Sequence, residues 1–468
     1  MTHASLPRNP RNPMADRSLF YEPAMDVLWE ELGDVDPLIA CLPPRCAANH
    51  FFANAARVRK LHLVDLCFDT GRKLRQLEQY IPPSSTLLPN LRDLSLFEIQ
   101  EADADYVRML LGPKLQSLWI GRVVFGAEKF LPCLPAMCPL LEQLWTWSWP
   151  SEAQAIVARL PYLREFGALK IDLPPLTKFH LSSSPSLRAL RLVEVPSLSW
   201  DLSPVSFPSL TSLALESIHD LRSVIRFLYA LPTGTLEELE VEFTPGLPEA
   251  GIESNVIEVV SRFQNLRQLA LAGWDDIARD PRAIPRYSMA PLLRLRKLDT
   301  VTLRLGGMEH EIVNANIARL GAAWPKLSYF KFEQSTYRTM APAGLTLEAL
   351  GLFAAHCRAL THLGLELDAS AKPGTPDPVE SSGVALTIEL GGSLITEASW
   401  PWVAKYISAV YPNARLRVHN EGYKLDEDEV GYWRSVISVL PVMCRIRHEE
   451  HGPESSGSLV GTMEPFGR

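Results

Sequence analysis

One phrase recurs along this chain and restricts its fold more than any other feature. It is an apolar residue, two residues of any kind, a second apolar residue, one of any kind, and a third apolar residue. Clean copies start at Leu91, Leu115, Leu187, Leu210, Leu236, Leu266, Leu298, Leu327 and Leu360, and weaker ones at Val58, Leu141 and Leu163. Twelve starts between 58 and 360 give a mean period of about 27 residues. The last two apolar positions of each copy are two apart, so they share one face of a short strand. The stretches 256–263, 312–324 and 345–360 carry apolar residues at three-and-four spacing and read as returning helices.

A strand and a return element repeated at this period predict an α/β leucine-rich-repeat solenoid. Such a fold is curved, with a parallel strand layer inside and helices outside. Proline is unusually frequent, 38 residues against 26 glycines, and much of it falls in step with the repeat. Leu91, Leu141, Leu163, Leu187, Leu210 and Leu327 each follow a proline by two residues. Proline cannot continue a helix and biases its predecessor toward extended geometry, so it ends one element and launches the next. One departure from the usual repeat stands out. The position three residues after the third apolar one is never Asn or Cys here, so the turns must be satisfied without a side-chain ladder, in units of uneven length.

Composition narrows the function classes. The chain of 468 residues is 47% hydrophobic and 21% charged, with net charge −8. That is globular, and a poor match to a surface that wraps nucleic acid. Seven cysteines in a long chain, no Asn-x-Ser/Thr sequon, no signal-like start and no apolar run long enough for a membrane span point to a cytoplasmic or nuclear protein.

The two ends differ from the repeats. In 19–44 (LFYEPAMDVLWEELGDVDPLIACLPP), Met25, Leu28 and Leu32 fall on one helical face, with Pro23 in the first turn. Residues Leu19, Phe20, Pro23, Ala24, Leu28, Trp29 and Leu32 resemble the tail of the F-box in the large F-box/leucine-rich-repeat families of fungi, and the proline-punctuated repeats resemble those families over 19–447. The resemblance implies a substrate receptor of a cullin-RING (SCF-type) ubiquitin ligase, in which the box holds a Skp-family adaptor and the repeats hold a target protein. It covers the last third of the box. Residues 1–18 contain nothing like the Leu-Pro-x-Glu helix that begins it, so either that helix lies upstream or adaptor binding has been lost. The bland reading is a helical cap over the first repeat.

The expected organisation is a disordered tail (1–18), a helical cap (19–50), irregular leucine-rich repeats (51–367), a loop (368–383), terminal repeats and a C-terminal cap (384–451), and a second disordered tail (452–468). Within the terminal region, Val384, Leu386, Ile388 and Leu390 alternate as a strand, 394–411 reads as an amphipathic helix, Leu416 and Val418 as a strand edge, and 430–440 as a last helix.

No catalytic constellation emerges, and neither an enzyme nor a cofactor is expected. There is no glycine-rich phosphate loop and no Gly-x-Ser-x-Gly elbow. His448 and His451 are three apart in a charged run, which reads as a solvated segment rather than a metal site. What remains is a surface. On the concave strand face the column after the third apolar position begins Val64, Phe97, Gly121, Trp147 and later turns charged at Glu216 and Glu242. Trp119 and Trp145 are neighbours in the middle column. Trp145, Trp147 and Trp149 are expected on one side of a strand opposite Thr146 and Ser148, as a hot spot for a protein partner or as a distorted repeat tucked under a loop. Glu238, Glu240 and Glu242 form a second candidate, for a basic partner segment, against the plain reading of a solvated face.

Overall fold

A computed structural model describes residues 14–450, apart from 43–47, 64–69, 83–84, 100, 102–103, 125, 148, 150–152, 171–172, 195–197, 199, 201–205, 244–251, 274–287, 305–311, 334–343, 375–385, 391 and 419–426. The chain forms two compact units, Met1–Leu236 and Glu237–Arg468. The first contains strands β1 (Glu31–Leu32), β2 (Lys60–Leu63), β3 (Asp93–Ile99), β4 (Ser117–Val124), β5 (Gln143–Thr146), β6 (Glu165–Leu169), β7 (Ala189–Val193) and β8 (Ser212–Ile218). The second contains β9 (Glu238–Phe243), β10 (Gln268–Gly273), β11 (Thr300–Arg304), β12 (Tyr329–Phe332), β13 (His362–Gly364), β14 (Thr387–Glu389) and β15 (Arg415–Arg417). Within each unit successive strands pair in parallel, and helices or short 3₁₀ turns return the chain. This is the leucine-rich-repeat α/β architecture that the period predicts.

All twelve repeat starts lead into a strand two residues later, from Val58 into β2 through Leu360 into β13. Register then stacks like on like. Leu94, Leu118, Leu144, Phe166, Leu190 and Leu213 form one ladder. Leu239, Leu269, Val301, Phe330, Leu363 and Ile388 form its counterpart. Every one of these side chains is buried, and each is worth about 1.5–3 kcal/mol of transfer free energy.

The first apolar residue of nine repeats closes a turn by donating its N–H to the carbonyl three residues back, as Leu91 does to Leu88 and Leu327 to Trp324. Proline occupies the second position of six of these turns (Pro89, Pro113, Pro139, Pro161, Pro208, Pro325), where its fixed φ suits the geometry. Gln264, Arg296 and Arg358 hold that position elsewhere, so proline favours the turn without being required for it.

Just past each turn lies the device that replaces the missing side-chain ladder. The carbonyl of the residue preceding a strand accepts two consecutive N–H groups from the next repeat. Arg59, Arg92, Gln116, Glu142, Arg164 and Arg188 do so in the first unit, and Glu237, Arg267, Asp299 and Ser328 in the second, all at 2.7–3.1 Å. Backbone groups are thereby satisfied by backbone, and no Asn is needed.

The ends correct several expectations. A helix already begins at Met14 and runs to Glu30, so 14–18 are not a disordered tail, and Pro23 lies inside the helix rather than in its first turn. Leu32 is not on that helix. It is buried in β1, which pairs Glu31 with Lys60 and Leu32 with Leu61. The segment thus supplies a strand as well as a helix. Arg57 ties the helix down through Glu22 and Asp26, and Lys73 holds Asp34 and Asp36 at 2.6 and 2.8 Å. In the second unit the helix expected over 394–411 is Trp400–Val410, preceded by turns. The last helix is longer than expected, Glu427–Glu450, and passes through Pro441. The two are joined where Arg447 donates to Ser408 Oγ at 3.0 Å, while Trp433 is buried and donates to the Ser393 carbonyl at 3.0 Å. The tail 452–468 lies outside the described residues, as does most of the 368–383 loop.

Two outcomes test this account. Phe330 is fully buried between Trp324 and Phe353, at ring distances of 6.4 and 5.4 Å. Phe330→Ala is expected to cost about 3–5 kcal/mol in urea unfolding of the second unit. Asp220 caps the helix Leu221–Ala230, accepting from Arg222 and Ser223 N–H. The Ser223 hydroxyl bond and these N–H bonds hold its carboxyl below the usual value. Asp220→Ala should cost about 0.5–2 kcal/mol at neutral pH. The difference from wild type should persist down to the ordinary aspartate range and vanish at lower pH, as the native carboxylate is protonated.

Candidate functional site: an aromatic row on the strand face

In each strand the residues between the buried apolar ones stand on the open face. In the first unit, parallel register places Ser95, Trp119, Trp145, Gly167, Arg191 and Ala214 side by side. Trp119 and Trp145 stack at 5.1 Å with planes 10° apart, and Phe97 extends the row at 6.2 Å and 19°. Phe97 is exposed, while Trp119, Trp145 and Trp147 are half-buried. The three sequence-predicted aromatics Phe97, Trp119 and Trp145 therefore stand in one stacked row.

Two glycines make the row possible. Register between β3 and β4 slips after Leu96, and the slip brings Gly121 so close to Phe97 that a Cβ would lie 2.8 Å from Phe97 Cα. Gly167 leaves the space over which the Trp145 indole lies, since a Cβ there would be 2.2 Å from Trp145 Cε3. The row ends in cations. Arg191 sits 5.7 Å from the Trp145 ring centre, and Lys170 sits 5.9 Å from that of Trp147. Arg191 is ion-paired with Glu216, and Lys170 with Glu194 at 2.6 Å. Lys170 and Glu194 directly follow the ends of β6 and β7, and Ser217 is the penultimate residue of β8; each has φ between 48° and 56°, a left-handed conformation uncommon outside glycine. The first two donate their N–H to the next strand, at Val193 and Glu216.

Other predicted residues sit differently. Trp149 does not share a side with Trp145. β5 ends at Thr146, alternation stops, and Trp149 turns into the core, 8% exposed, edge-on to Phe166 and donating Nε1–H to Thr177 Oγ1 at 3.1 Å. Glu216 is engaged by Arg191 rather than standing open to a partner. Glu238, Glu240 and Glu242 lie in the second unit on β9, opposite Gln268, Ala270 and Ala272. Among the F-box-like residues, Ala24 and Leu28 are exposed (Leu28 by 69%), Trp29 is half-buried and Leu32 buried. The side chains of Leu19 and Phe20 lie outside the described residues.

Sequence reasoning missed a polar cluster on the face of the second unit. Tyr329 stacks on His362 at 4.3 Å. His362 Nε2 is 3.4 Å from Glu389, and Lys331 reaches Glu333 at 2.7 Å and Glu389 at 3.8 Å. Burial pulls His362 below its ordinary value and pushes Tyr329 above. Burial would also lower Lys331, but its hydrogen bond to Glu333 and the neighbouring carboxylates hold it above normal. Aligning the middle column of the repeats (Thr302, Lys331, Gly364, Glu389) is the signal that would have found it. Lys331 thus faces two carboxylates, and Arg304 lies 3.8 Å from one of them, Glu333. Among the described residues no group of three or more His, Cys, Asp or Glu could hold a metal ion, and no helix is long and apolar enough to cross a membrane.

No family model and no curated protein matches the chain. Solved structures similar to it include the TLR13–ssRNA13 complex (14% identity, TM-score 0.30, 73% of this chain and 59% of that one). Others are the Rad7–Elc1 complex of yeast (14%, 0.34, 86% and 94%) and the LRIM1/APL1C complex (12%, 0.27, 78% and 66%). The match spans little more than half of the TLR13 chain and about two thirds of the LRIM1/APL1C chain. At these scores the neighbours carry no argument, and the fold rests on the strand ladder itself.

The glycine argument has a direct test. Gly167→Ala should displace the Trp145 indole, reduce the near-UV circular dichroism of the stacked tryptophans and leave the far-UV spectrum unchanged.

Proposed function

We propose that this chain is a protein-interaction repeat protein that holds a target protein on the Phe97–Trp119–Trp145 row, and that it acts as the substrate receptor of a cullin-RING ligase. The row carries the first part. Solvated strand faces do not usually align three large aromatics in one stacked surface, and tryptophan is the residue most enriched among binding hot spots. The absence of a catalytic constellation in the sequence favours binding over chemistry.

The ligase part rests on the F-box-like tail. Its helix is fixed through Glu22 and Asp26, and Tyr21, Val27 and Leu28 are exposed apolar residues. Such residues suit a Skp-family adaptor. Buried free thiols at Cys138 and Cys357 fit work in the cytoplasm or nucleus.

Affinity purification of the full chain, with quantitative mass spectrometry, tests both parts. A Skp-family adaptor should co-purify and be lost on Val27→Asp/Leu28→Asp. The target should be lost on Trp119→Ala/Trp145→Ala, by tenfold or more, with the adaptor retained. Recovery of a target without any adaptor would leave a ligase-independent scaffold. Equal target recovery with the tryptophan variant would remove the row from the interface.

A further inference from the structure

A second surface lies on the turn edge of the second unit, away from the strand face. Arg296 and Lys297 occupy the middle of the turn Leu295–Leu298, Lys326 that of the next turn and Arg358 that of the one after. All four are exposed. They lie along the edge across neighbouring repeats: Arg296 donates to the Ala322 carbonyl at 3.0 Å, and Lys297 to Asn265 Oδ1 at 2.6 Å. None of the four reaches a carboxylate among the described residues.

The nearby anions are already engaged. Glu258 is held by Arg294 at 3.4 Å, Glu237 is held by Arg267 at 3.6 Å, and Asp299 accepts the Thr300 hydroxyl at 2.9 Å. The cations of the strand face, by contrast, are neutralised, with Arg304 near Glu333 and Lys331 between Glu333 and Glu389. From Arg294 to Arg358 the sequence holds nine Lys and Arg against five Asp and Glu, in a chain whose net charge is −8. The positive excess is local, and four of the nine cations stand on this edge.

We propose that the edge formed by Arg296, Lys297, Lys326 and Arg358 binds a short acidic peptide segment of a protein partner. Adjacent parallel strands are about 4.8 Å apart, so the three turns present their cations over roughly 10 Å. An extended peptide rises about 3.3 Å per residue, and a run of three or four Asp or Glu residues covers that distance with matching charge. A long polyanion fits poorly. Nucleic-acid binding draws on many phosphate contacts, and beyond this edge the acidic remainder of the chain would repel the rest of the strand.

Fluorescence anisotropy with the full chain tests the assignment, using a labelled peptide with six consecutive glutamates and its six-glutamine counterpart. The glutamate peptide should bind, weaken as salt rises from 50 to 300 mM, and bind at least tenfold more weakly to Arg296→Gln/Lys297→Gln/Lys326→Gln/Arg358→Gln. The glutamine peptide should not bind. Arg92→Gln/Arg188→Gln, two exposed cations of the first unit, should leave the affinity unchanged. Equal affinity in the four-site variant would overturn the assignment. So would tighter binding of a single-stranded oligonucleotide or of phosphatidylserine vesicles. Neither tryptophan of the aromatic row enters this experiment, so its outcome is independent of target capture there.

Discussion

The repeats of this protein depend on one kind of contact, a backbone carbonyl that takes two N–H groups from the repeat that follows. A single strand of four residues has too few hydrogen bonds of its own to hold its place. Where the residue before a strand accepts two consecutive amides from the next repeat, the backbone itself holds the register. The apolar ladders follow from that register, because a slip of one residue would carry every buried leucine to the solvent face. Stability and the presentation of surface residues therefore have the same origin.

That origin explains why the aromatic row is flat. Trp119 and Trp145 are paired partners in adjacent parallel strands, so register sets their rings side by side. The glycine at 167 and the slip that frees Phe97 are local departures that shape the two ends of the row. On the second unit the same face carries charge instead, with Lys331 between Glu333 and Glu389 and His362 beside Glu389. Two surfaces of different character arise from one backbone pattern, with only the outward residues changed.

Much of this was legible in the residues. The repeat phrase located every strand from β2 to β13, because a spacing of two between buried leucines leaves the backbone little alternative. The middle column identified Trp119 and Trp145 as neighbours for the same reason. Alternation failed at Trp149, where the strand had already ended and a polar partner, Thr177, was available in the core. Alternation over 384–390 and the pair Leu416 and Val418 marked β14 and β15 as well, whereas β1, with two residues, offers no periodicity. The ion pairs Arg191–Glu216 and Lys170–Glu194 join residues 24 or 25 apart, and only correct alignment of the repeats brings them together.

The turn and the doubly accepting carbonyl occupy a few residues, and the rest of each repeat is left outside that constraint. The distance between successive starts accordingly ranges from 22 residues, between 141 and 163, to 33, between 327 and 360. Insertions and deletions in the return segments leave the spacing of the strands unaltered. Such a chain can exchange its outer loops, by evolution or by grafting, while the strand face stays aligned to within a hydrogen bond.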